Sequence, residues 1–240
     1  MCLILFGVQP SEKLRLVVAA NRDEFYGRPA SRAGFWDDHP QVLAGRDLQA
    51  GGTWLGITTS GRFAAVTNFR ETPPDPMPLR SRGDLTSGFL TSEIPATEYL
   101  KEISSRGSEY RGFNLIINDG KDTYYYSNRA TEFMKLEPGF YGLSNQLLDC
   151  DWPKVNKGRD KLSILLDRNI SVEEMFSSSF ELLFDTGDGE AFSNSFIATA
   201  EYGTCAATVL TLGNDGNINF QEQGFGQNGR REELVSYSLK

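Results

Sequence analysis

The first twenty residues of the chain hold two runs of strand-forming residues with a turn between them. An apolar run follows Cys2 over residues 3–8, and a second run, rich in Leu, Val and Ala, covers residues 14–20. Residues 9–13, which include a proline and a serine, have the composition of a turn. We therefore predict a hairpin at the start of the chain, with a buried first strand.

Strand and helix patterns then alternate along the chain. We predict further strands over residues 54–58, 63–68, 113–117, 123–127, 140–143, 195–200, 205–212 and 217–222. We predict helices over 81–91 and 96–105 from the helical spacing of apolar residues. We predict a third over 153–166, with Pro153 in its first turn, and a fourth over 171–183, which a capping box opens at Ser171. Residues between the two hairpins are expected to form a long loop. This order predicts an α+β fold of two packed, mainly antiparallel sheets with helices on their outer faces, in a single domain over residues 1–240.

The composition excludes several classes of protein. A net charge of −8 argues against nucleic acid as a partner, because phosphate binding depends on Lys and Arg. No apolar run approaches the roughly 18 residues that a membrane span requires, and no signal peptide is recognisable, so we expect a cytoplasmic protein. The three cysteines lack paired ligand spacing, so we expect no disulfide, metal or cofactor. His39, the one histidine, lies in a polar stretch, so the catalytic base is expected elsewhere.

Cys2 has two interpretations. Removal of Met1 would leave a thiol and a free α-amine on one residue, which is a nucleophile with its own base. The reference pKa values of the two groups, about 8.5 and about 7.7–8.0, allow proton exchange near neutral pH. We expect the amine to raise the thiolate fraction of Cys2, with Cys150 and Cys205 as ordinary thiols. The alternative is that Cys2 is a small buried hydrophobe at the start of a strand.

Several ordered motifs resemble one known family. They are Met-Cys at the start, Ala-Ala-Asn-Arg-Asp-Glu-Phe over 19–25, Gly-Gly-Thr-Trp-Leu-Gly over 51–56, Val-Thr-Asn over 66–68, Gly-Phe-Asn-Leu over 112–115, Tyr-Gly-Leu-Ser-Asn over 141–145 and Tyr-Gly-Thr over 202–204. From residue 1 to about 225 the chain resembles the NRDE family, also called the transport and Golgi organization protein 2 family. The resemblance implies links to Golgi organisation, lipid metabolism and haem mobilisation, without an agreed enzymatic activity.

The pattern also resembles the N-terminal-nucleophile amidohydrolases of the choloylglycine hydrolase group. This resemblance implies a four-layer αββα fold in which Cys2 is the nucleophile and Asp23 orients the α-amine. Asn68 and Asn145 match the two asparagines that stabilise the oxyanion or place the substrate. Alternatively, each asparagine is a turn or strand-end residue that bonds its own backbone. Asn21, Arg22 and Trp54 are the candidate substrate-binding residues.

Two positions depart from these patterns. The amidohydrolase group has an arginine directly before the asparagine of the second strand, whereas Ala20 precedes Asn21 here and Arg22 follows it. Because side chains alternate across a strand, Arg22 can occupy the same space only where the backbone turns. The family motif usually continues Tyr-Gly-Thr-Arg, whereas Cys205 stands in the fourth place, so a planar cation is replaced by a neutral thiol.

Three classes of function remain open from the sequence. The first is hydrolysis of a non-peptide carbon–nitrogen bond of a small acylated molecule by mature Cys2. The second is a carrier for a hydrophobic molecule such as haem or acyl-CoA, for which Cys2, His39 and Cys205 are the conspicuous haem ligands. The third is a structural interaction protein. The expected partner is a small acyl or hydrophobic ligand, and a homo-oligomer is left open.

Overall fold

The chain forms two compact units in the computed structural model, which describes residues 2–72, 80–168 and 170–240. The first unit comprises Met1–Gly27, Pro138–Ser144 and Leu148–Lys240, and the second comprises Arg28–Glu137 and Asn145–Leu147. Each unit contains one antiparallel sheet and, within the described residues, one pair of α-helices. The single domain expected over residues 1–240 stays a prediction.

The strands and helices have the following bounds. The strands are β1 (Leu3–Val8), β2 (Leu14–Phe25), β3 (Ala30–Phe35), β4 (Val42–Asp47), β5 (Leu55–Thr58), β6 (Arg62–Asn68), β7 (Phe113–Asp119), β8 (Thr123–Ser127), β9 (Met134–Lys135), β10 (Gly139–Leu143), β11 (Tyr202–Gly213), β12 (Ile218–Phe225) and β13 (Arg231–Leu239). The helices are α1 (Gly83–Leu90), α2 (Ala96–Ser105), α3 (Pro153–Leu166) and α4 (Val172–Leu183).

The sheet of the first unit has the strand order β10-β1-β2-β11-β12-β13. Every residue of β1 is buried, as are residues 16–23 of β2, so both faces of these central strands are covered. Helices α3 and α4 pack on one face. Their contacts with the sheet form an apolar core that includes Leu3, Leu5, Val17, Ala19, Val155, Leu162, Met175 and Phe176. Each such large side chain contributes about 1.5–3 kcal/mol by leaving water.

A glycine brings α3 close to the strand that begins next to Cys2. A Cβ atom on Gly158 would lie 2.7 Å from a methyl group of Leu5 on β1, so only a hydrogen at this position lets the helix reach the sheet. Gly142 on β10 has the same relation to Val155, at 2.7 Å. The N-terminal half of α3 is thereby held against β1 and β10.

The sheet of the second unit has the strand order β3-β4-β5-β6-β7-β8-β9. Helices α1 and α2 cover one face and bury an apolar core that includes Ala64, Leu85, Phe89, Leu100, Ile103, Leu115 and Ile117. The expected α+β class is therefore confirmed: there are two antiparallel sheets, each with its own helix pair, as in the N-terminal-nucleophile amidohydrolases that the sequence resembles. Within the described residues, no helix has both the length and the apolar character required to span a bilayer.

The predicted hairpins and helices are confirmed, including the cap in which the Ser171 side chain accepts a hydrogen bond from the Glu174 N–H. The strand predicted over residues 195–200 is wrong. The N–H groups of Ser195 and Phe196 donate to the Asp185 carbonyl instead of to a neighbouring strand. The segment forms one isolated β-bridge, between Ala198 and Gly203.

The long loop expected between the first two hairpins is also wrong, because β3 and β4 lie there. Strand β3 has the sequence ASRAGF, with low strand propensity and exposed side chains, and it pairs because β4 presents a free edge. Strand β13 was likewise not predicted. It is a mostly exposed edge strand whose polar residues carry no core signal.

Candidate functional site

Cys2 lies at the end of the first unit's sheet, directly before β1. Its Sγ is 4.0 Å from the backbone oxygen of Asp23, the outer limit of a sulfur hydrogen bond. Its own carbonyl accepts a 2.6 Å hydrogen bond from the hydroxyl of Ser144, a fully buried residue that follows β10. The β1–β2 register, with Leu3 opposite Asn21, explains the approach, because it brings the start of β1 beside residues 21–23 of β2.

Asp23 is a buried carboxylate on β2, with 6% of its surface exposed. Its Oδ1 accepts a 2.8 Å hydrogen bond from the hydroxyl of Thr204, which stands directly opposite on β11. Burial raises the pKa of the Asp23 carboxyl, while this hydrogen bond and the charge of Lys154 lower it. The two residues that the sequence analysis assigns as nucleophile and orienting carboxylate are therefore brought together.

Lys154 is the residue that sequence reasoning missed. It occupies the first turn of α3, is 2% exposed, and no atom of the described residues accepts a hydrogen bond from its Nζ. Burial lowers the pKa of this ammonium, and the charges of Asp23 and Cys2 oppose that effect. One signal was present in the sequence: a lysine directly after Pro153 places a cation at the positive end of a helix dipole.

An aromatic pair stands beside Lys154. The rings of Trp152 and Phe192 are stacked, with 4.2 Å between their centroids, and the Lys154 Nζ is 5.9 Å from the centre of the Trp152 ring. The Phe192 carbonyl accepts the Lys154 backbone N–H at 3.1 Å. Phe192 has a φ of 60°, a left-handed conformation that is unfavourable for a bulky side chain.

Asn21 and Arg22 flank Asp23 on the same strand. The Asn21 side-chain amide donates to the carbonyls of Leu183 and Ser195, at 2.7 and 2.9 Å, and so ties the end of α4 to the sheet. Arg22 is 8% exposed and lies 4.0 Å from the Glu24 carboxylate. Their predicted contact with substrate stays a prediction.

The other three predicted site residues belong to the second unit. Asn68 is exposed at the end of β6, and its carbonyl accepts a 2.8 Å hydrogen bond from the side-chain amide of Asn145. The two asparagines are therefore in contact, and the Asn145 side chain holds the end of β6 in place. The Trp54 ring lies over Gly45 on β4, where a Cβ atom would overlap it. Roles of these residues in catalysis or substrate binding stay predictions.

Sequence comparison decides the family. The family model described as Transport and Golgi organisation 2 matches residues 1–227 of this chain. The chain belongs to the Transport and Golgi organisation 2 family. The mouse homolog is 36% identical over 256 residues, covering 93% of this chain and 92% of the mouse protein. The human homolog is 34% identical with the same coverage, and the Drosophila melanogaster protein is 24% identical over 259 residues.

The fold of this Transport and Golgi organisation 2 protein is also found in a solved amidase. The structure of the Caenorhabditis elegans ortholog of N-acylethanolamine-hydrolyzing acid amidase superposes with a TM-score of 0.50 and 12% identity. The match covers 88% of this chain and 92% of that one. At this identity the likeness establishes the fold alone, which is the N-terminal-nucleophile type expected from the sequence.

Cys205 is the position at which this member of the Transport and Golgi organisation 2 family departs from the usual motif. Thr204 pairs with Asp23 and Ala206 with Arg22, so Cys205 is the extra residue of a β-bulge on β11. Its Sγ lies 3.5 Å from the Glu24 and Gly203 carbonyls. Burial raises the pKa of its thiol to about 11. The extra residue is on β11, so the alternation of side chains along β2 at Arg22 is unchanged.

The expected high thiolate fraction of Cys2 after removal of Met1 stays a prediction. Burial raises the pKa of the Cys2 thiol and the negative charge of Asp23 raises it further, while the positive N-terminus and Arg22 lower it. Burial also raises the pKa values of the Cys150 and Cys205 thiols. Within residues 2–72, 80–168 and 170–240, no cluster of three His, Cys, Asp or Glu side chains is arranged to hold a metal ion.

Proposed function

We propose that this protein is an N-terminal cysteine amidohydrolase that cleaves a non-peptide carbon–nitrogen bond of a small acylated molecule. The observation that carries the proposal is the placement of Cys2 directly before β1, with its thiol beside the buried Asp23. The shared fold with an acid amidase supports it. A protonated thiol at rest is compatible with this chemistry, because the base that removes its proton is the α-amine of the same residue.

The reaction proceeds in two halves. The Cys2 thiol passes its proton to the α-amine, and the thiolate attacks the amide carbon to form a carbon–sulfur bond. The carbon–nitrogen bond then breaks and the α-ammonium protonates the leaving amine, which leaves a thioester. Water gives a proton to the amine and attacks the thioester carbon; the carbon–sulfur bond breaks, the acid leaves and the sulfur regains its proton. Asp23 orients the amine by accepting a hydrogen bond from it.

The oxyanion requires fixed donors, and we assign this task to Asn68 and Asn145. An amide side chain on a rigid strand end donates without titrating. The 2.8 Å hydrogen bond from Asn145 to the Asn68 carbonyl supports the assignment, since it holds that strand end in place. Asn21, Arg22 and Trp54 remain the proposed substrate contacts.

The test compares processed wild type with Cys2→Ala, Cys2→Ser and a variant bearing an uncleavable residue before Cys2. Intact mass first establishes removal of Met1. Hydrolysis of a panel of acyl amides is then measured with thermal stability. We expect the extended variant to lose activity while keeping its melting temperature, because the thiol and the amine act as one proton-transfer unit. No turnover by processed wild type over a broad panel contradicts the proposal.

One observation favours a carrier as the second candidate. A cleft of about 720 Å³ in the first unit opens between the β1–β2 turn and the loop joining α3 to α4. Its apolar lining includes Leu14, Leu165, Leu166, Ile170 and Met175. The described residues that line it include no histidine or cysteine, so the cleft suits an acyl chain better than haem. Micromolar binding of long-chain acyl-CoA that tolerates the N-terminal extension, without hydrolysis, favours the carrier.

A cytoplasmic location and a homo-oligomer are further parts of the proposal. The first is the expectation stated from the sequence, and the second is the assembly that the sequence leaves open. Imaging of a C-terminally tagged chain checks the first, and light scattering after size-exclusion chromatography checks the second.

A further inference from the structure

The ammonium group of Lys154 is left unused by the proposed reaction. The residue is 2% exposed, and no described residue accepts a hydrogen bond from its Nζ. A buried ammonium without a partner is strongly unfavourable, because the charge has lost its hydration shell and nothing replaces it. Groups of this kind concentrate at functional sites, where a ligand supplies the missing interaction.

The position of Lys154 on α3 makes the cation still less favourable. It lies one residue after Pro153, in the first turn of the helix, where the helix dipole repels a positive charge. The backbone N–H groups of this turn are already satisfied. That of Lys154 donates to the Phe192 carbonyl, and those of Val155 and Asn156 donate to the Trp152 carbonyl. The helix end itself therefore offers no anion site, and the free donors belong to Nζ.

The surroundings of Lys154 indicate which charged and apolar groups a ligand would carry. The stacked rings of Trp152 and Phe192 form an apolar wall beside it, and the left-handed φ of Phe192 shows that the chain accepts strain to hold this arrangement. A cation next to an aromatic wall fits a molecule with one negative charge and an adjoining apolar group. One ammonium balances the single charge of a carboxylate, whereas a phosphate group carries about −1.5 to −2 charge and would keep part of it unbalanced here.

We propose that Lys154 binds a carboxylate carried by the substrate close to its scissile amide. This substrate class rests on the proposed function for the reaction, but the binding itself does not require turnover. Asp23, Cys2 and Cys150 are the titratable groups whose charges act on Lys154. No described residue accepts a hydrogen bond from Nζ, so a ligand carboxylate can take that position.

Binding is measured on Cys2→Ala protein, which removes the nucleophile. The ligands are N-lauroylglycine, with the carboxylate on the amine side, N-dodecylsuccinamic acid, with it on the acyl side, and the neutral N-lauroylglycinamide. We expect at least one of the acids to bind tenfold or more tightly than the neutral amide. Lys154→Met and Lys154→Gln should lose this preference, and Lys154→Arg should retain part of it, because the positive charge is retained.

Lys157→Met is the matched control on the same helix. Lys157 is exposed and its Nζ pairs with Asp188 at 2.6 Å, so the preference for the acid should be unchanged. Circular dichroism verifies that each variant folds. If both neutral variants of Lys154 unfold, the pH dependence of binding by the Cys2→Ala protein replaces them: its preference for the acid should fall as rising pH deprotonates Lys154.

Three results overturn the proposal. One is equal binding of acids and neutral amide by the parent; another is an acid preference that persists in folded Lys154→Met or at alkaline pH. The last is a result with Lys154→Met in a protein that retains Cys2: kcat falls equally for acid and neutral substrates while their binding is unchanged. Lys154 would then stabilise the oxyanion instead of binding a carboxylate. Absence of turnover with carboxylate binding intact refutes the hydrolase alone.

Discussion

Replacing Ser144 with alanine tests whether a single buried hydroxyl holds Cys2 in place. Ser144 is fully buried and its hydroxyl donates a 2.6 Å hydrogen bond to the Cys2 carbonyl. The variant removes that hydrogen bond, which should lower the unfolding free energy by about 0.5–1.5 kcal/mol. For a chain of this length, each kcal/mol lowers the melting temperature by about 2–4 °C. Urea denaturation and calorimetry measure the loss.

The same variant should make Cys2 more reactive. Burial raises the pKa of its thiol, so a looser N-terminal residue brings that pKa back toward its ordinary value. Each pKa unit recovered multiplies the thiolate fraction by ten at neutral pH. We expect alkylation of Cys2 by iodoacetamide, followed by peptide mapping, to accelerate about three- to tenfold. Hydrolysis should slow in the same variant, because the nucleophile is no longer held beside Asp23.

Ser127→Ala is the matched control. Ser127 is also fully buried, and its hydroxyl donates to the Phe113 carbonyl at 2.7 Å within the second unit. It should lose a similar amount of stability without a change in Cys2 alkylation. Equal acceleration in both variants would show that general loosening exposes the thiol. An unchanged rate in a destabilised Ser144→Ala protein would refute the positioning role.

Three further predictions concern the carboxylate, the oxyanion donor and the bulge. Thr204→Val removes the hydroxyl that lowers the Asp23 pKa, so the folded-state pKa rises further above its unfolded value. A carboxyl with a raised pKa stabilises the folded protein at low pH, and this contribution is lost as the pH rises, so Thr204→Val should lose more stability at pH 7 than near pH 4. Thr204→Ser, which keeps the hydroxyl, is the control, and an equal loss of stability at both pH values contradicts the prediction. Asn68→Ala should keep the fold and slow acyl transfer by roughly 10²–10³, measured with a substrate from the amide panel, and an unchanged rate removes Asn68 from the site. Cys205, with a pKa of about 11, should react with iodoacetamide at pH 8 roughly 10² times more slowly than an ordinary exposed thiol. Rapid labelling in the folded protein contradicts the raised pKa of this half-buried thiol.

Local patterns determined most of the fold. The hairpin from β1 to β2, the capping hydroxyl of Ser171 and the proline that opens α3 act over a few residues, so their signals are complete in the sequence. Ordered motifs likewise identified the family and the class of fold. Strands β3 and β13 were not predicted. Each is an edge strand that is stabilised by hydrogen bonds to its neighbour, so its own residues need no apolar pattern.

The tertiary structure decided the electrostatics of the site. The sequence placed Cys2 and Asp23 as candidates, but only the register of β1, β2 and β11 brings the thiol to the Asp23 backbone and the Thr204 hydroxyl to its carboxylate. The sequence did not show the burial that raises the pKa of the Cys2 thiol, nor the buried cation of Lys154. Both outcomes depend on burial by segments far apart in the chain, and desolvation is a property of the packed environment that the residue type alone does not reveal.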